Sequence, residues 1–292
     1  MENLLTIHFF RDNSIEEKLD FNAVLDFFEN QPNFQIYYSD GLVEIEYKDT
    51  EFDFKYHYLI TKKSRVNQIY RLSPKFSNVN FLVEFPILIP SMLSREILAI
   101  IQKLCKTFEL GVYHDSFSDI RLFNLVEMID FYEGAKKTYL ENEEVDGKIR
   151  YDADKLNVIC KFQRSVKSLV EYYHNDVIVN YCYGLIQTDA SEGNKPFFGI
   201  CYDWRFLSPI IFPPYVDFIN VMCDDTNFII RKADLFNIIN RKLIEIKNFL
   251  PDMYILKVKQ AKGCKKYLKK LMKARLNYEF RQIKLIDCLE AD

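Results

Sequence analysis

Apolar positions alternate with polar ones over much of the first third of the chain. Residues 4–10 have strand composition, and residues 20–28 follow with apolar residues at helical spacing after an acidic start. Residues 34–38 and 42–47 flank Ser39-Asp40-Gly41, a turn signal that predicts a hairpin. Phe52, Phe54, Tyr56 and Tyr58 extend the alternation into a third strand, with Asp53, Lys55 and His57 on its polar face. Residues 80–89 read as a long apolar strand. Residues 95–108 follow as a helix on the spacing of Leu98, Ile101, Leu104, Cys105 and Phe108, and residues 111–113 as a short strand.

Beyond this β-α-β run the spacing predicts a helix over 122–140, a polar break at 141–147, and a helix over 154–173. Strands are predicted at 177–187, 197–204 and 215–222, with a polar loop at 189–195. Two last helices, 234–249 and 256–276, are separated by Pro251. Strands and helices mix without regular βαβ alternation. The expected class is therefore α+β: a mainly antiparallel sheet with packed helices and a C-terminal basic helix. The break divides the chain into regions 1–145 and 146–292, with a single domain as the alternative.

Composition narrows the function classes. The 292 residues are 49% hydrophobic and 28% charged, which excludes a disordered, collagenous or coiled-coil chain. The start lacks a basic n-region, and no apolar run reaches the ~18 residues of a membrane span, so the expectation is a cytoplasmic protein. Seven cysteines stand singly with no CxxC pair, as reduced core residues do, and the four histidines lie far apart, so no metal ligand set and no cofactor is implied.

The sharpest charge anomaly is a run of nine cations without an intervening acid, Lys257, Lys259, Lys262, Lys265, Lys266, Lys269, Lys270, Lys273 and Arg275. On a helix, Ala261, Cys264, Leu268, Leu271 and Met272 form an apolar stripe and the lysines cover the remaining surface. Such a surface suits an acidic protein, nucleic acid phosphates or an anionic membrane. Within the run only Tyr267 is aromatic, which argues against stacking of single-stranded bases. The alternative is a solvated helix balanced by acids elsewhere.

Candidate chemistry is sparse. Glu46-Tyr47-Lys48 and Asp53-Phe54-Lys55 have the acid-x-Lys form used by some metal-dependent nucleases, giving Glu46, Asp53 and Lys55, with Asp40 as a further carboxylate, as catalytic candidates of an enzyme acting on nucleic acid. The solvated face of an antiparallel sheet is the other reading of these residues, and the preferred one. Cys160 and Cys201 with His174 are candidates for a thiol dyad, and Glu127 with Asp130 for an acid pair, with buried thiols and an ordinary polar helix face as the preferred readings. No GxSxG, HExxH, GxxxxGK[ST] or GxGxxG motif occurs. Trp204, the only tryptophan, and Arg205 precede a proline-rich stretch and have the residue types of a binding anchor, a buried indole being the other reading.

The order of pieces carries one likeness. An N-terminal helix, an aromatic hairpin, the strand Asn80-Phe81-Leu82-Val83-Glu84-Phe85-Pro86-Ile87-Leu88-Ile89-Pro90, the helix with Arg95-Glu96, the strand end Val112-Tyr113-His114-Asp115, and the stretch from Trp204 to Asp217 follow one another. This order over about residues 20–220 resembles poorly characterised bacterial proteins encoded beside polymorphic toxins, a group with the look of immunity proteins. The resemblance rests on order and spacing, and leaves the basic segment unaccounted for. It implies a cytoplasmic module that neutralises a toxin by direct binding, and it carries over no catalytic residue.

Overall fold

A computed structural model of the chain describes residues 4–142, 147–174, 176–188, 197–224 and 226–291. The polar stretch 189–195 and the centre of 141–147 lie outside the described residues. The fold is α+β with mostly antiparallel sheets, and the chain divides into two compact units, Met1–Val145 and Asp146–Asp292.

Unit 1 runs β1 (Leu4–Asp12), α1 (Phe21–Glu29), β2 (Phe34–Ser39), β3 (Leu42–Asp49), β4 (Phe54–Thr61), β5 (Phe76–Pro86), α2 (Ser91–Phe108), β6 (Leu110–Tyr113), β7 (Arg121–Leu122) and α3 (Leu125–Asn142). Its seven strands form one antiparallel sheet in the order β2-β3-β4-β5-β1-β6-β7. Strand alternation gives each face its character. Ile7, Phe9, Ile45, Tyr58, Val83 and Phe85 point to one side and are buried. Phe28 of α1 meets the Tyr58 ring at 4.6 Å, and Tyr132 of α3 stacks on Phe85 at 5.9 Å, so the helices cover this side. Asp20 caps α1 by accepting from the Asn22 N–H at 2.9 Å, and Asn124 caps α3 through the Val126 and Glu127 N–H groups.

Across the other side, register aligns Gln35, Glu46, His57, Glu84 and Thr6 in one row over five strands. His57 sits at its centre, with Nε2 3.1 Å from Glu84 and Nδ1 3.6 Å from Glu44. The Glu84 hydrogen bond raises the His57 pKa, and the same bond lowers that of Glu84. His8, in the next row, is buried, and burial lowers its pKa.

Unit 2 comprises β8 (Ile149–Asp152), α4 (Ala153–Tyr172), β9 (Tyr183–Gln187), β10 (Phe198–Arg205), β11 (Ile210–Phe212), β12 (Phe218–Met222), β13 (Asn227–Arg231), α5 (Lys232–Ile239), β14 (Ile244–Glu245), β15 (Tyr254–Leu256), α6 (Val258–Lys262), α7 (Leu268–Lys273), β16 (Phe280–Ile283) and β17 (Cys288–Ala291). A five-stranded sheet runs β13-β12-β10-β9-β16, with β10 and β12 parallel. Strands β11, β15 and β14 form a small antiparallel sheet, and β17 pairs parallel with β8. No helix among the described residues is long and apolar enough to cross a membrane.

Two helices expected from spacing are shorter here. The helix over 234–249 stops at Ile239, because residues 244–245 are drawn into a ladder with β15. The segment 256–276 is not one helix: Leu256 ends β15, α6 closes at Gly263, residues 265–267 make a 3-10 turn, and α7 follows. Glycine is a poor helix former, and the pairing of Leu256 with Ile210 fixes the segment's start in a strand.

Candidate functional site: a basic and aromatic face of unit 2

The broken basic segment still keeps its amphipathic logic. Ala261, Cys264 and Leu271 are fully buried, while all nine cations from Lys257 to Arg275 are exposed, including Lys265, Lys266, Lys269, Lys270 and Lys273. Among the described residues none of these nine is ion-paired with an acid. Like charges this dense repel over the ~10 Å Debye length of 0.1 M salt. A protein of formal charge −3 therefore carries a local basic surface, offset by acids elsewhere.

Aromatic side chains from two distant segments stand beside the end of this run. Phe197, Phe198 and Tyr278 are 36%, 48% and 42% exposed. Phe197 is held by Gln187, whose Oε1 accepts the Phe197 N–H at 3.1 Å, and its ring meets Tyr278 at 5.1 Å. The Arg231 guanidinium lies 5.6 Å from the Phe197 ring centre, within cation–π reach. Tyr278 then meets Phe280 edge-on at 6.3 Å, and Phe280 meets the buried Phe218 at 5.9 Å, so the outer rings rest on a packed aromatic base.

Two open clefts adjoin these rings. One of about 370 Å³ is lined by Asn220, Asn227, Arg275, Asn277 and Tyr278 together with the apolar Phe228, Ile229 and Leu276. Arg275 Nε donates to Asn277 Oδ1 at 3.0 Å, and Asn220 Nδ2 donates to Asp203 at 2.9 Å, so each amide is oriented through one end. The other, of about 480 Å³, is lined by Phe197, Phe198, Arg231, Lys232, Phe236 and Asp217 among others. Lys232 is buried there, with Nζ donating to Asp252 at 2.7 Å and to the Pro213 carbonyl at 3.1 Å, and lies 5.1 Å from the Phe236 ring. Burial lowers the Lys232 pKa and raises that of Asp217, whose carboxylate accepts the Ile200 N–H at 2.8 Å.

The other sequence candidates fall elsewhere. Trp204 is not a surface anchor: it lies on the central strand β10, is fully buried between Phe206 and Phe212, and donates its Nε1 hydrogen to the Ser208 carbonyl at 3.2 Å. Arg205, at the strand's end, is exposed. Glu46 and Lys55 meet as an ion pair at 2.8 Å, Asp53 occupies the turn before β4 with a left-handed φ of 55°, and Asp40 pairs with Lys62 at a separate turn. Among the described residues no three His, Cys, Asp or Glu side chains gather to hold a metal. Cys160 and Cys201 are buried, and burial pushes the Cys201 thiol up to about 12, the opposite of an activated thiolate; His174 is exposed past the end of α4. Glu127 and Asp130 are exposed on α3, with Glu127 3.9 Å from Arg121.

Sequence reasoning missed the rings. The run 257–275 carries one aromatic residue, and the ones that border it come from residues 197–198 and 278, which only strand pairing of β9 with both β10 and β16 brings together. Neither a protein-family model, nor a curated protein, nor a solved structure matches the chain.

Proposed function

We propose that the chain is a binding module that holds a polyanionic partner against the basic face of unit 2, acting by surface complementarity with no bond made or broken. The observation that carries this reading is the set of nine exposed cations without an acidic counterpart among the described residues. A partner's anions relieve the repulsion among them and release counterions, so binding gains free energy that falls as salt rises. An acidic toxin, neutralised by occlusion in the cytoplasm, is the form of this partner that the order-of-elements likeness implies. The reading is tested with labelled heparin and poly-glutamate in anisotropy titrations at increasing salt. Steeply salt-dependent binding, weakened at least ~10-fold by the triple change Lys265→Glu, Lys269→Glu and Lys273→Glu with thermal stability retained, is expected. Equal affinity of the triple variant, or no binding at low salt, refutes it.

A further inference from the structure

Resting on that reading and deepening it, we infer that the partner is a single-stranded nucleic acid, its bases stacking on Tyr278 and Phe197 and its phosphates lying along Arg231, Arg275 and the lysines that lead to Lys273. Recognition of a single strand needs three things in one place: open ring faces, a cationic track beside them, and hydrogen-bonding groups that meet base edges. Unit 2 has all three. The Phe197 and Tyr278 rings meet at 5.1 Å with their planes tilted by 53° and are 36% and 42% exposed, so each offers ring surface to a base. Arg231 borders the rings on the Phe197 side. Arg275 lines the same cleft as Tyr278 and sits two residues beyond Lys273, so the track runs unbroken into the basic segment.

The amides supply the third element. Asn277 Oδ1 accepts from Arg275 Nε, which leaves the Asn277 NH₂ as donor, and Asn227 is exposed in the same cleft. An amide offers one acceptor and two donors, the complement of a base edge. The cleft volume of about 370 Å³ is in the range of a small-ligand site, enough for one nucleotide unit. An acidic protein surface pairs carboxylates with the cations and uses the rings and amides only where its own side chains fit them, whereas every base carries a π-face and a hydrogen-bonding edge, and a duplex hides its ring faces inside the stack. The observations therefore favour the single strand over both.

The test uses the full-length chain and three labelled probes at matched charge: an oligothymidylate of about a dozen nucleotides, within the ~4–16 covered by a single-strand site, a duplex of the same length, and poly-glutamate. Expected is tighter binding of the oligothymidylate than of the duplex. Tyr278→Ala and Phe197→Ala should each weaken it roughly 10-fold, as loss of one stacking platform does, while Tyr278→Phe retains it. Because both rings are partly exposed, circular dichroism of the alanine variants should match the parent. If oligothymidylate and duplex bind alike and the alanine variants change nothing while the lysine reversals abolish binding, the single-strand inference is overturned and the polyanion reading survives. If poly-glutamate alone binds, the inference is overturned in favour of an acidic protein. If no probe binds at low salt, both fail together.

Discussion

Replacing Lys232 by Met keeps the aliphatic stem and removes the ammonium, which isolates what the buried charge contributes to unit 2. In the parent the side chain is only 9% exposed, and its ammonium bonds Asp252 at 2.7 Å and the Pro213 carbonyl at 3.1 Å over the Phe236 ring. A hydrogen bond to a charged group is worth about 1.5–3 kcal/mol, and a cation–π contact about 0.5–1 kcal/mol. Two such bonds and the ring contact total about 3.5–7 kcal/mol, offset by the desolvation of the buried ammonium that lowers its pKa and by the water that the 36% exposed Asp252 regains, which leaves a loss of roughly 2–3 kcal/mol. A unit of this size loses about 2–4 °C of Tm per kcal/mol, so a drop of roughly 5–10 °C is expected. Trp204 is the only tryptophan and is buried in unit 2, so its emission during urea unfolding reports this unit alone. Asp252→Asn should destabilise less in the Lys232→Met background than in the parent, because the carboxylate has then already lost its ammonium and keeps, among the described residues, only the Tyr215 N–H. A loss below about 0.5 kcal/mol, or strictly additive single and double changes, would show that the ammonium's bonds contribute little and would refute the reasoning.

In unit 1, the His57 pKa is raised above its ordinary 6.5, so its contribution to stability is complete below 6.5 and fades as pH climbs through the folded value. His8, lowered by burial, acts in the opposite sense, stabilising above 6.5 and losing that effect as pH falls through its folded value. His57→Gln should therefore remove the alkaline-side decline in amide-exchange protection of β4 and β5, and an unchanged pH profile would contradict the pairing with Glu84. Gly184→Ala places a methyl 2.6 Å from Ile283 Cγ1 and 2.9 Å from Ile149 Cδ1, and should lower unit 2 stability by about 1–3 kcal/mol on the Trp204 signal. Of the seven thiols, six are buried and Cys223 is half-buried, so a disulfide reagent should titrate Cys223 rapidly and the others only on denaturation. Iodide should leave Trp204 emission unquenched in the folded protein; efficient quenching would place the indole at the surface.

Local pattern made the first unit's sheet legible. The alternation through β3 and β4 and the turn at Asp40-Gly41 need only neighbours in sequence, and Gly41 adopts the positive φ of 82° that such a turn requires. The basic segment was legible as amphipathic but not as broken, because what ends the expected helices is pairing among β11, β14 and β15, strands of two or three residues too short to leave a periodic trace. Asp53 shows the same limit on a smaller scale. It continues the polar alternation on paper, but its left-handed φ of 55° places it in the turn before β4 and not on the strand. Trp204 next to Arg205 has the composition of an interface, and only its place on a strand flanked on both sides explains its burial. The rings beside the lysines were illegible for a topological reason: β9 carries β10 on one edge and β16 on the other.

The pairing of β17 with β8 has a bearing on how unit 2 comes into being. Lys148 and Asp287 meet at 2.6 Å although 139 residues separate them, and Ile149, Cys288 and Leu289 are fully buried around that junction. During synthesis the opening strand of the unit leaves the ribosome before its partner strand exists, and stays unmatched until the intervening residues 153–287 have been made. Assembly of this unit is thus a late event, its earliest and latest segments snapping shut together, and a shortened transcript that stops before residue 288 would leave β8 as a bare edge open to self-association.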